Sequence, residues 1–238
     1  MTSFLTNIKD FLHSKSKGVI PEYFDLNQKS VLHTIDRNNV ISILKSRQSG
    51  MTSVILYYVA NLMRSSYDRK EIAFIGASPF ESTECLTHLG FLLRGYPEDK
   101  LRGGAKDLHL EGSCFRTFND YYKLRGSRFD VIIIDEAAYH QDLENILTYS
   151  SQSLVEGGKL ICLSSTGGMC DMAFKNFHLK LSDALSFYKK DLLIEKKHKK
   201  YSISNGSSVF HMRAPHLVDV RCYKNPSTEL KKEKLNIY

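Results

Sequence analysis

The chain has 238 residues, 42% hydrophobic and 25% charged, a globular composition that suits one large α/β domain or a domain with a small appendage. No apolar run approaches 18 residues, which excludes a transmembrane helix, and the first residues show no basic stretch followed by an apolar core, so no secretory signal is expected. The formal charge of +7 sits at one end: residues 189–238 hold 12 Lys and Arg against 5 Asp and Glu, leaving 21 of each elsewhere. That end reads either as a surface for an anionic partner or as a solvated lysine-rich segment. The cysteines, Cys85, Cys114, Cys162, Cys170 and Cys222, are scattered with no C-x-x-C pair, the pattern of reduced thiols.

Residues 1–20 predict an amphipathic docking arm, with Phe4, Ile8, Phe11 and Leu12 on one face, ended by Pro21. Tyr23-Phe24 is extended, a cap falls at Asp25 or Asn27, and a helix runs from about Gln28 to Asp36. An aromatic pair beside Gln28 suits an adenine subsite, with a ring stacking and the amide reading the base edge; the plainer alternative makes Gln28 a surface helix residue.

Val40 to Leu44 is a short apolar strand that ends in Lys45. A polar turn, Ser46 to Gly50, leads to Thr52, which opens an amphipathic helix reaching Arg64. Strand, glycine turn and helix N-terminus together form a phosphate cradle, because backbone N–H groups converge and the helix dipole favours an anion; the alternative is an ordinary connection. Against G-x-x-x-x-G-K-[ST], Gly50 and Thr52 are in place, the latter positioned for Mg²⁺. Met51 stands where lysine is expected, and Lys45 where the first glycine is expected. Methionine cannot neutralise a phosphate, whereas Lys45 can reach back on its flexible stem.

Residues 72–77 read as a buried parallel strand, and Pro79 starts a helix to about Arg94. Residues 95–106 read as a polar loop, Ser113 to Phe118 as a strand, and Asn119 to Leu124 as a short helix. Val131 to Ile134 is a β-branched run that ends in Asp135-Glu136. Carboxylates at the C-terminal edge of a buried strand lie where α/β sheets place ligands. Asp135 would hold Mg²⁺ and Glu136 would polarise a water as general base; otherwise the acid simply caps a following helix. Glu156 to Gly158 is a turn, Lys159 to Leu163 a strand, and residues 164–168 (SSTGG) a γ-phosphate sensor or a plain glycine turn. A helix is expected over Asp171 to Lys190, and strands over Tyr201 to Met212 and Leu217 to Tyr223.

From Tyr23 to Gly168 the order and spacing of these motifs resemble the ATPase domain of the large terminase subunit, the DNA-packaging motor of tailed bacteriophages. The specific part is the loop Arg47-Gln48-Ser49-Gly50-Met51-Thr52 joined to Asp135-Glu136-Ala137-Ala138. Most of that family has lysine at the position of Met51; some members instead carry it at the position of Lys45. The resemblance implies a P-loop NTPase of the ASCE type, with a mainly parallel sheet flanked by helices and a small C-terminal subdomain. Residues 21–188 would be the ATPase core and 189–238 a basic lid or linker. It implies ATP held by Gln28, Lys45, Ser46, Arg47, Gln48, Ser49, Gly50, Met51, Thr52, Ser165 and Thr166, and Mg²⁺ held by Thr52 and Asp135. Glu136, Lys45 and Arg47 would act in hydrolysis, with Arg125, or second to it Arg128, supplied to a neighbouring subunit. Implied partners are double-stranded DNA through its phosphates, a portal protein and the small terminase subunit, in a homo-oligomeric ring on assembly or a monomer in isolation. The place implied is the host cytoplasm, at the procapsid portal. Family members continue into a nuclease domain, and no acidic cluster remains for one here. The rival readings are a helicase-like nucleic-acid-stimulated ATPase and a non-hydrolysing structural or regulatory packaging subunit.

Overall fold

The computed structural model describes residues 24–64, 69–94, 100–165, 171–183 and 218–222. The expected arm at 1–20, Tyr23, Thr166, the strand expected over 201–212 and most of the basic C-terminal region therefore lie outside the described residues.

Helix α1, Leu26–Arg37, starts two residues earlier than expected because Asp25 is its cap. The Asp25 carboxylate accepts the Gln28 N–H at 2.8 Å, and the Gln28 side-chain oxygen accepts the Asp25 N–H at 3.1 Å, a reciprocal capping box. Strand β1, Val40–Lys45, leads through the polar turn into α2, Met51–Arg64. Then follow β2, Glu71–Ile75, and α3, Pro79–Leu92, with Ser78 as N-cap and proline in the first turn, where no N–H is needed.

Residues Leu101–Gly103 of the expected loop instead form β3, which makes a hairpin with β4 (Asp107–Leu110) that extends antiparallel from β5 (Ser113–Phe118). At a sheet edge the ladder is held by backbone groups and side chains stay half exposed, so the polar pattern that suggested a loop is tolerated. A 3₁₀ turn, Tyr121–Leu124, precedes β6, Phe129–Ile134, and a second, Ala137–Tyr139, follows it. Helix α4, Leu143–Ser153, runs into β7, Leu154–Ser165. The turn expected at 156–158 is a bulge inside that strand: the register jumps between Phe129↔Leu154 and Val131↔Lys159, with Gly157 at φ +77°. Helix α5, Asp171–Lys180, stops ten residues short of expectation, because Ser182–Asp183 (β8) pairs with β9, Val218–Cys222.

Among the described residues these strands form one sheet in the order β3-β4-β5-β2-β6-β7-β1-β9-β8. The run β5-β2-β6-β7-β1 is parallel, and β9 pairs antiparallel with β1, so the described part of the C-terminal region is built into the main sheet. Alternation along the central strands feeds two cores. Ile41, Ile43, Ile72, Phe74, Val131, Ile133, Ile161 and Leu163 face α1, α2 and α3. Ile132, Ile134, Ala73, Ile75, Leu160 and Cys162 face α4, α5 and the 3₁₀ turns. Burial on both faces explains why these strands read as continuous apolar runs. No described helix is long and apolar enough to cross a membrane.

A lysine ties the two ends of this core. Lys159 Nζ donates to the carbonyls of Ile35 at 2.6 Å, Asp36 at 3.3 Å and Asn38 at 2.8 Å, closing the C-terminus of α1. Lys159→Met should keep the apolar stem and lose those bonds. The expected outcome is a loss of about 2 kcal/mol of stability, read as a lower urea midpoint at unchanged slope.

Candidate active site

The parallel topology puts β7 between β1 and β6, so the C-terminal ends of all three meet at one edge. Lys45 is in register with Ser165, and Ile134 with Cys162. The expected loop, the acid pair and the serine strand therefore converge.

Their side chains are joined. Lys45 Nζ lies 2.8 Å from Glu136 Oε1, 3.5 Å from Asp135 Oδ1 and 3.3 Å from Thr52 Oγ1. Thr52 donates to Asp135 Oδ2 at 2.9 Å, and the Glu136 N–H donates to Asp135 Oδ1 at 2.8 Å. The far oxygen of Glu136, Oε2, accepts from the Ser165 N–H and hydroxyl, each at 3.1 Å. Ser164 accepts the Ala138 N–H at 3.0 Å, which fixes the turn after the acid pair.

Burial lowers the proton affinity of Lys45, but Asp135 and Glu136 outweigh it and the amine is held above its usual value. Burial raises Asp135, and Lys45 offsets this only in part, so this carboxyl stays above its ordinary range. Burial also raises Glu136, but Lys45 and the Ser165 donors reverse the effect and hold it below the ordinary range, as a ready base suits.

Gln48 at φ +59° and Gly50 at φ +70° curl the loop between β1 and α2 into a nest of N–H groups. A Cβ on Gly50 would come 3.1 Å from Gln28 Nε2, so both the backbone and the space call for glycine. Ser49 Oγ is buried with no hydrogen-bond partner, an orphaned polar atom in the wall of the cradle. Convergent N–H groups, a free hydroxyl and Lys45 fit a phosphate chain; Thr52 and Asp135 supply the hard oxygens a Mg²⁺ ion takes.

Other expected residues land differently. Met51 is 1% exposed and belongs to the core, so the position that usually carries lysine here anchors α2. Gln28 does reach the loop, donating to the Ser49 carbonyl at 3.3 Å, but its amide also closes the capping box. Phe24 is no platform for a base: it is buried with its ring edge-on to Tyr57, centroids 5.2 Å apart. Arg47 is exposed and donates to the Tyr139 hydroxyl at 3.2 Å.

Arg125 is not brought to its own site. It precedes β6 while Asp135 follows it, and a six-residue strand separates the two by about 20 Å. Its guanidinium bonds the Tyr149 hydroxyl and lies 4.7 Å over that ring and 5.5 Å from the Tyr122 ring. Arg128 donates to the Gln152 and Leu154 carbonyls, both at 3.3 Å. Two residues at the site were missed from sequence. Tyr139 sits one 3₁₀ turn past the acid pair. His140 places Nε2 3.0 Å from the Asp135 carbonyl; since a carbonyl only accepts, that nitrogen carries the proton. The only sequence signal for either was proximity to Asp135-Glu136.

No family model matches the sequence, and no curated protein matches it. Solved structures do resemble the fold. The HK97 bacteriophage large terminase matches with a TM-score of 0.50 at 15% identity, over 81% of this chain and 42% of that one. The large terminase of a thermophilic bacteriophage, in complex with ADP, gives 0.45 at 20% identity, over 59% and 38%. The ATPase domain of the Thermus phage P74-26 large terminase gives 0.46 at 17% identity, over 63% and 68%. The chain spans about two fifths of the length of the first two of these proteins. The HK97 likeness establishes the fold: a mixed, mostly parallel sheet between helices, as expected from sequence.

The raised value of Asp135 fixes the sign of a stability prediction. A carboxyl whose folded value lies above its unfolded one costs stability wherever it is ionised, and the cost disappears as pH falls through the folded value. Asp135→Asn should therefore raise the thermal midpoint at neutral pH by about 2–4 °C. The gain should vanish below the carboxylate range, as calorimetry from pH 7 to pH 3 would record.

Proposed function

We propose that this chain is a Mg²⁺-dependent ATP hydrolase, the ATPase unit of a large-terminase-type motor that drives double-stranded DNA into a viral procapsid. The observation that carries the reading is the placement of one lysine amine against Thr52, Asp135 and Glu136 at the mouth of an anion-binding loop. Lys45 offers the charge that the loop lacks at Met51, which favours hydrolysis over a purely structural role.

In this reading the loop N–H groups and Lys45 bind the phosphates, while Thr52 and Asp135 hold Mg²⁺, which spreads the charge of the transferring phosphoryl group. Glu136 accepts a proton from the attacking water. Its position is set from both sides, by Lys45 on Oε1 and Ser165 on Oε2. Arg125 faces outward from the opposite edge, so it serves a neighbouring copy in a ring. DNA is gripped through its phosphates, with salt-sensitive affinity. The portal and the small terminase subunit complete the assembly in the host cytoplasm.

Turnover of Mg·ATP by the purified chain, measured across a concentration series, tests this. Lys45→Ala and Glu136→Ala should each lower kcat by about 100-fold or more. Arg125→Ala mixed with Glu136→Ala should recover part of the activity, since each supplies what the other lacks. Nucleotide binding without turnover at any concentration would sink the hydrolase reading, and full activity in Lys45→Ala would sink the role given to that lysine.

A further inference from the structure

The proposed reaction uses the side chains of Lys45, Thr52, Asp135 and Glu136. It makes no use of His140, a half-buried residue whose ring bonds the backbone between the two acids.

That stretch of backbone leaves the sheet under strain. The Asp135 N–H donates to the Ile75 carbonyl of β2 at 3.0 Å. One residue on, Glu136 adopts φ +46° and ψ +47°, and its carbonyl accepts the Tyr139 N–H at 2.8 Å to begin the 3₁₀ turn. The left-handed conformation is unfavourable for any residue with a Cβ. Turning over the peptide plane between Asp135 and Glu136 would relieve it, because that rotation carries φ of Glu136 to a negative value.

Both ends of that plane are held. Its N–H donates to Asp135 Oδ1 at 2.8 Å, and its carbonyl accepts from His140 Nε2 at 3.0 Å. The 3₁₀ turn, closed by the His140 N–H on the Ala137 carbonyl at 3.4 Å, brings the ring back to the acid pair. Burial holds the imidazole below its ordinary value, so at neutral pH it carries one proton, and the carbonyl fixes that proton on Nε2. Turned over, the plane would aim its carbonyl at the Asp135 carboxylate and leave the His140 donor without its acceptor. A bound metal would draw on that carboxylate, whereas the His140 bond involves neither acid side chain.

We propose, resting on the hydrolase reading, that His140 is a positioning residue whose Nε2–H locks the peptide between the metal-binding acid and the general base against turning over. The lock keeps Glu136 in the left-handed conformation from which its side chain meets Lys45 and Ser165 at once. It also keeps the Glu136 N–H on Asp135, so one ring sets the direction of both carboxylates.

His140→Gln keeps an N–H at the same reach along the side chain, and His140→Leu keeps only the bulk. In steady-state turnover of Mg·ATP by the full chain, His140→Leu should lower kcat about ten-fold with KM unchanged. His140→Gln should restore kcat to within about three-fold of the native value. Binding of a fluorescent, non-hydrolysable ATP analogue should be the same in all three proteins. Independently of turnover, ¹⁵N NMR of the native chain at neutral pH should find the His140 ring neutral and protonated on Nε2. A thermal midpoint shows that each variant folds, and His140→Asn, whose amide falls one bond short, replaces His140→Leu if that variant does not. A native kcat in folded His140→Leu, equal losses in His140→Gln and His140→Leu, or a ring protonated on Nδ1 would overturn the lock while the hydrolase stands. A native chain that binds the analogue without turnover would overturn both.

Discussion

One buried amine between two adjacent carboxylates is the constraint around which this edge of the protein is arranged. Asp135 and Glu136 are consecutive, and the first is 6% exposed. Two such groups taken from water repel each other and lose hydration, which together cost more than a single surface ion pair returns. Lys45 offsets this only because it is presented at the end of a central strand, with its side chain 10% exposed and within 3.5 Å of both acids. A lysine at position 51 would approach from the helix instead. Here that position is filled by a methionine at 1% exposure, which gives α2 an apolar anchor against the sheet. The loop thus moves its charge to the strand and uses the vacated helix position for packing.

That arrangement works because of where β7 runs. Inserted between β1 and β6, it brings Ser165 level with Lys45 and gives Glu136 a second set of donors. Among the described residues, two of the three non-glycine residues with positive φ, Gln48 and Glu136, lie at this edge with Gly50, while the third, Glu111, is in the turn between β4 and β5. Glu136 at φ +46° has no glycine's freedom, and it is held by the bonds its side chain makes to Lys45 and Ser165. Strain in the backbone and charge in the side chains are therefore stabilised by the same few contacts, while the two apolar cores beneath supply the stability that tolerates them.

Residues whose role follows from their own local pattern were legible in the sequence. The apolar runs ending in Lys45 and in Asp135-Glu136 gave the central strands, and Gly50 with Thr52 gave the loop, because burial on both faces and close backbone approach each demand a particular residue type. Residues whose role depends on the tertiary partner were not. Phe24 looked free to stack on a base, but the side chain of Tyr57, 33 positions on, claims it. Strand β3 reads as a loop because its pairing with β4 lies along an edge that sequence does not show. Tyr139 has no motif of its own; it comes to notice only because folding sets Arg47 against its hydroxyl. Gln28 does lie beside the loop, where its amide touches the Ser49 carbonyl and also closes a helix cap.

The charge of the cluster constrains how the proposed reaction begins. Lys45 with two ionised acids carries a net charge of −1, so a phosphate chain arriving alone meets repulsion from the groups that must later hold it. A divalent cation arriving alone reverses the imbalance to +1 in a site with little water to screen it. Bound to the metal, the phosphate chain carries less negative charge than it does alone, which favours its entry as the metal complex. Entry also forces an exchange of partners. In the proposed reaction Lys45 would turn some of its donors from Glu136 towards phosphate, and Asp135 would turn an oxygen from Thr52 and Lys45 towards the metal. Glu136 would then lose part of the interaction that keeps its proton affinity low, and would become a stronger base with substrate present. The Ser165 N–H and hydroxyl bond the other carboxylate oxygen and would take no part in that exchange. They keep the carboxylate in place while its basicity rises, which separates the positioning of the base from its activation.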